Sequence, residues 1–273
     1  MLFVTFLQVP LAELGRAFGK VRFLGALVAT NFIVVAVLIS FAPADPMVRL
    51  GVLLVLLCPC IDYVVTLAHL GRADAKLLLA STPILLVVQM LLLPLYLRLF
   101  LGADASRLVQ PGPFLHAFLW LIVIALAIVV QLWARRGGAG ERVSAMLGLL
   151  PVPVPATALV LLIVIAAVMP QLGQALPAAL GVMPIYVAFA IAAPLLGWAV
   201  SRIAKLDAEA VRALAFSAAT RNSLVVLPLA LAVPGAVPLL PAIIVAQTLV
   251  ELVAELVFIR ALPRLGSATP VVV

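Results

Sequence analysis

The sequence predicts an all-α polytopic membrane protein, and three observations predict it. Of its 273 residues, 67% are hydrophobic and 10% charged, with a mean hydropathy of +1.36, far more apolar surface than a soluble core needs. The apolar residues come in runs of about 20, the length that crosses a hydrocarbon layer of ~30 Å. The basic residues fall in the short connectors between runs, so the net charge of +7 does not indicate a nucleic-acid partner. Cys58 and Cys60 lie two residues apart in one apolar run, which excludes a disulfide framework.

In chain order the runs fall at about 1–13, 22–42, 49–70, 76–100, 114–134, 154–172, 178–201, 208–233 and 239–262. Prolines such as Pro43, Pro46, Pro111, Pro113, Pro151, Pro153 and Pro155 flank runs, where they begin or end helices. Pro83, Pro94, Pro194 and Pro228 fall inside runs and are expected to kink them. Alternate connectors carry Arg16, Lys20 and Arg22; Arg72 and Lys76; Arg135, Arg136 and Arg142; Arg202, Lys205 and Arg212; Arg260 and Arg264. The opposite side has only Arg49, Arg98 and Arg107. This asymmetry predicts a multi-pass plasma-membrane protein with its C-terminus in the cytoplasm and residue 1 on the far side. A first repeat, 1–104, and a second, 114–265, are expected within one membrane domain, and the longest connector is 135–150. The run at 1–13 is too short to cross. Inverted repeats need an odd number of spans per unit, so a complete relative is expected to carry one more helix upstream.

Two runs are interrupted. Cys58-Pro59-Cys60-Ile61-Asp62 breaks one, and Ser217-Ala218-Ala219-Thr220-Arg221-Asn222-Ser223 breaks another. An aspartate at mid-bilayer costs about 2.5–3.5 kcal/mol on insertion scales, and a proline frees a carbonyl that lipid cannot satisfy. Such breaks persist only where protein or water surrounds them, and a broken span in each half is the best sequence pointer to a transporter's binding site. The last run carries Gln247, Glu251 and Glu255 every four residues, on one face that must avoid lipid. Glu251 is expected to back the second break, and Glu255 to pair with Arg260 nearer the cytoplasmic end. Asn31, Gln89 and Gln131 are lone amides suited to bonds between helices. His69 and His116 lie near different run ends and do not form a metal pair.

The segments LLVLLCPCIDYVVTLAHLGRADAKLLLASTPILLVVQMLLLPLYLRLFLG and LAFSAATRNSLVVLPLALAVP resemble the two crossover regions of the bile acid:sodium symporter superfamily, most closely its arsenite-efflux branch. The resemblance implies a five-plus-five inverted repeat, in which a panel domain flanks a core where two discontinuous helices cross. The branch's Cys-Ile falls on Cys60-Ile61, its Phe-Thr-Ala on Phe216-Ser217-Ala218, and its Asn on Asn222. The acidic residue expected after that Asn is Leu224 here. The Glu and Gln sodium ligands of the sodium-coupled branch fall on Ser217 and Arg221, and an arginine there argues against sodium at that place.

The resulting expectation is a secondary carrier, an antiporter exporting arsenite or a related small metalloid or oxyanion, proton-linked and working by alternating access. A carrier of organic anions is the alternative. Candidate substrate or ion-binding residues are Cys58, Cys60, Asp62, Ser217, Thr220, Arg221, Asn222, Ser223 and Glu251, with Cys60 a soft thiolate contact for As(III) or Sb(III). On a regular helix Cys58 and Cys60 would lie about 200° apart, so they could address one ion only if Pro59 unwinds the segment. Asp62 and Arg221 either form a permanent structural ion pair or act as a proton-linked switch in which Arg221 stands in for a bound cation. The partners implied are the bilayer and a small-molecule or ion substrate, and a homo-oligomer stays open. With no G-x-S-x-G, H-E-x-x-H, paired intramembrane aspartates or phosphate-binding glycine loop, neither an enzyme, a cofactor nor ATP coupling is expected.

Overall fold

Three of the helices begin on an aspartate, and those caps fix where the chain turns. Asp45, Asp74 and Asp207 accept hydrogen bonds from the backbone N–H of Val48, Leu77 and Ala210, each at 2.9 Å. Each side chain satisfies an N–H that the first helical turn leaves unpaired. The computed structural model describes residues 19–60, 63–102 and 172–264, with isolated helical positions between 126 and 166. The predicted run at 1–13 and most of those at 114–134 and 154–172 lie outside the described residues, as do His116 and Gln131.

The described helices are α1 (Val21–Leu38, continued by a 3-10 turn, Ile39–Phe41), α2 (Pro46–Leu56), α3 (Val64–Leu70), α4 (Ala75–Leu101), α5 (Leu172–Ile203), α6 (Ala208–Ala219), α7 (Ser223–Leu231) and α8 (Leu239–Ala261, closed by a 3-10 turn, Leu262–Arg264). Among the described residues there is no β-strand. Four stretches, Val21–Phe41, Ala75–Leu101, Ala175–Ile203 and Leu239–Arg264, are long and apolar enough to cross a membrane. On α4 the outward side chains Val87, Leu91, Leu95 and Leu99 repeat every four residues, an exposed apolar stripe suited to lipid. The run expected at 178–201 begins earlier, as α5 continues unbroken from Leu172 through Pro177, Pro184 and Pro194.

The two interrupted runs are pairs of half-helices. With a rise of ~1.5 Å per residue, neither α2 nor α3, and neither α6 nor α7, is long enough to cross by itself. The second interruption is narrower than the sequence suggested. Ser217, Ala218 and Ala219 complete the last turn of α6, and only residues 220–222 are non-helical.

Apolar packing divides at the level of these interruptions. One cluster joins Phe32, Leu53, Cys58, Phe189, Val226 and Ile243; the other joins Phe23, Cys60, Leu78, Leu214, Phe216 and Phe258. At the end of the second cluster, connectors that the sequence placed on one side converge. Lys20 Nζ lies 4.0 Å from Asp74 Oδ2, Arg212 Nε donates to the Arg72 carbonyl at 2.7 Å, and Asp74 N donates to Glu209 O at 3.2 Å.

Two glycines permit close approach of neighbouring elements. A Cβ on Gly197 of α5 would lie 3.0 Å from the Ala215 Cα of α6. A Cβ on Gly71, just past α3, would meet Phe216 Cε2 at 2.2 Å and Cζ at 2.3 Å. Gly71→Ala is therefore expected to destabilise the protein by about 1–3 kcal/mol. Combined with Phe216→Leu, the loss should be smaller than the sum of the two single changes, as thermal unfolding in lipid nanodiscs would show.

Candidate functional site

The two interruptions pair with each other through their backbones. Cys60 N donates to Thr220 O at 3.1 Å and Asn222 N donates to Cys58 O at 2.8 Å, which sets Pro59 opposite Arg221 in one antiparallel bridge. The pattern explains why proline is tolerated here. In such a pair the bonds come from the flanking residues, so the missing N–H of Pro59 is not needed. The N–H of Arg221 points outward from the bridge and donates to Glu251 Oε2 at 2.8 Å.

The Arg221 side chain is fully buried, at 0% exposure. It folds back under the C-terminus of α6, where Nη1 donates to Thr220 O at 3.1 Å and to Ser217 O at 3.4 Å. The negative end of a helix dipole suits a cation there. From α1, Asn31 supplies Oδ1 to Nη1 at 2.9 Å and its carbonyl to Nη2 at 3.3 Å. Asn31 is itself held by bonds from Nδ2 to Leu27 O at 2.9 Å and to Ser217 Oγ at 3.2 Å. The Phe189 ring of α5 lies 4.5 Å from Arg221 Cζ, within cation–π range.

The polar face of α8 closes the other side. Glu251 accepts from Arg221 N, from the Gln247 amide and from the Tyr63 hydroxyl, which also lies 2.8 Å from Arg221 O. Glu255 does not pair with Arg260 as the sequence suggested. It is buried, with Oε1 at 2.6 Å from Thr220 Oγ1, whereas the Arg260 side chain is exposed and donates to Leu256 O one turn earlier. A four-residue spacing fixes the face shared by Glu251 and Glu255, but the depth of the interruption opposite decides their partners.

The cysteines do not converge. Cys58 packs in one apolar cluster and accepts from Gln89 Nε2 at 2.9 Å, while Cys60 packs in the other. The segment is unwound around Pro59, yet the two thiols stay on opposite sides, so a shared dithiolate ion is not formed in this arrangement. No group of three or more His, Cys, Asp or Glu among the described residues is placed to hold a metal.

Of the candidate residues, Cys58, Cys60, Thr220, Arg221 and Asn222 meet at the bridge, with Ser217 and Glu251 directly against it. Ser223 opens α7. Asp62 lies outside the described residues, and with it the expected Asp62–Arg221 pair. Tyr63 and Phe189 were not singled out from the sequence, and Asn31 and Gln89 only as lone amides. A tyrosine one residue beyond a charged break is the signal that could have marked Tyr63.

No family model matches the chain, and no curated protein matches it.

Replacing Asn31 should expose how the buried cation is held. Asn31→Leu is expected to destabilise by about 1–3 kcal/mol, the cost of leaving a buried donor without its acceptor. The same change should cost less in an Arg221→Met background, and a double-mutant cycle of unfolding free energies in bicelles measures that coupling.

Proposed function

We propose that the chain is a secondary active transporter in which the paired interruptions form the substrate site. The observation that carries this reading is the backbone bridge between residues 58–60 and 220–222, closed around a buried arginine. It supports a design in which two discontinuous helices cross near the bilayer midplane, the arrangement that the symporter resemblance implies. Irregular backbone at that depth is tolerated where it lines a binding site or is sealed by protein. Rocking of one group of helices against the other would then open the crossing to each side in turn, with the basic connectors facing the cytoplasm of a plasma-membrane protein.

Arg221 takes the place of a bound cation in this reading. The carbonyls of Ser217 and Thr220 at the α6 terminus, which could face an ion, receive its Nη1 instead. A resident positive charge at the crossing suits a cargo that is an oxyanion or a neutral metalloid hydroxide such as arsenite. Cys60 offers one soft sulfur to As(III) or Sb(III), and one thiol suits a carrier that must release what it binds. The divergence of Cys58 and Cys60 favours the alternative, a carrier of organic anions that needs no thiol and uses the same arginine.

Expression in a metalloid-sensitive host separates the two. The first reading predicts several-fold higher arsenite tolerance with lower cell arsenic, lost in Cys60→Ser and retained in Cys58→Ser. Unchanged arsenic content together with new uptake of a labelled organic anion would replace it with the second.

A further inference from the structure

The hydroxyl of Thr220 has one proton and two close oxygen neighbours. Its Oγ1 lies 2.7 Å from the carbonyl oxygen of Phe216 and 2.6 Å from Oε1 of Glu255. A hydroxyl can donate to only one of them at full strength. With Glu255 ionised, the other contact would set lone pairs against each other at hydrogen-bond distance. A protonated Glu255 accounts for both contacts: the carboxylic O–H donates to Thr220 Oγ1, and the Thr220 O–H donates to Phe216 O. The second carboxyl oxygen, Oε2, is buried and has no hydrogen-bond partner among the described residues. That suits the carbonyl of a neutral acid, whereas half of an anion would be left without a donor.

Glu251, one turn earlier on α8, shares one feature with Glu255, a hydroxyl (Tyr63) placed between its Oε1 and a backbone carbonyl (Arg221 O), and differs at its other oxygen. Its Oε2 receives the Arg221 N–H and the Gln247 amide, two N–H donors where Oε2 of Glu255 has none among the described residues. Among the described residues two carboxyls and one guanidinium share the buried layer, and their charge closes when Glu251 is the anion beside Arg221 and Glu255 is neutral. Among the described residues, the other titratable groups at this layer are Tyr63 before α3 and Cys58 and Cys60 at the first interruption.

We propose that Glu255 is a proton-binding site, with Thr220 as the positioning residue that couples it to the end of α6. Loss of the proton leaves a carboxylate and releases H⁺. The Thr220 O–H then turns to Oε1, and Phe216 O keeps only the Thr220 N–H at 3.1 Å. The last turn of α6, which carries the bridge, is thereby loosened by deprotonation and tightened by protonation. The use of that proton as the coupling ion rests on the transporter reading, whereas the protonated acid does not.

Infrared difference spectroscopy of the full chain in lipid nanodiscs reads the site without any transport assay. At neutral pH the intact protein should show the C=O stretch of a buried carboxylic acid, lost on raising the pH. Glu255→Gln should remove that band, whereas Glu251→Gln, which takes away the anion beside Arg221, should lower the pH at which the band is lost. Thr220→Val, which removes the hydroxyl that accepts the acid's proton, should keep the band and move it to higher frequency. A band that survives Glu255→Gln, or its absence from the intact protein at neutral pH, would overturn the proposal. So would a band unmoved by Thr220→Val, which is also the deciding variant if Glu255→Gln does not fold. If the band behaves as expected while the chain moves neither arsenite nor organic anions, the proton site stands and the transporter reading falls.

Discussion

Backbone hydrogen bonding at two helix breaks is the constraint on which the rest of this structure depends. Each interrupted helix leaves N–H and C=O groups unpaired, and lipid offers them nothing, at several kcal/mol per group. Here the groups are matched one to another. Cys60 N meets Thr220 O, Asn222 N meets Cys58 O, Arg221 N meets Glu251, and Arg221 O lies within reach of the Tyr63 hydroxyl. Each break supplies hydrogen-bond partners that the other lacks.

The buried arginine follows from the same accounting. Its guanidinium is surrounded by the carbonyl end of α6, the Asn31 amide and the Phe189 face, with Glu251 one bond away through the backbone. A cation held by dipoles and a neutral amide is less tightly locked than one in a direct two-point pair with a carboxylate. The two apolar clusters of the core meet at this polar layer.

Much of this was legible in the sequence because membrane physics leaves few options. A proline between two cysteines and an arginine among small residues had to be helix breaks facing protein, and the four-residue spacing of Gln247, Glu251 and Glu255 had to turn one face inward. What pairs with what was not legible. Asn31 is a lone amide in an apolar helix, and nothing local to it announces an arginine 190 positions away. Glu255 looked closer to the exposed Arg260 along the chain, yet burial sends it to Thr220 instead. The extent of the second break was overestimated because Ser217-Ala218-Ala219 tolerates either state, and packing of Phe216 and Ala219 in the core holds it helical.

Proximity of the two interruptions is the central claim, and a cross-link measures it most directly. In a Cys60→Ser background, Asn222→Cys places a second thiol opposite Cys58, on backbones joined by a 2.8 Å hydrogen bond. Adjacent positions on an antiparallel bridge fall within the Cα separation a disulfide spans, ~4.4–6.8 Å. Mild oxidation in membranes should give an intramolecular disulfide, identified by mass spectrometry of the intact chain and its peptides. If both thiols react with a small permeant reagent but never with each other, the interruptions do not meet, and the account of the site fails.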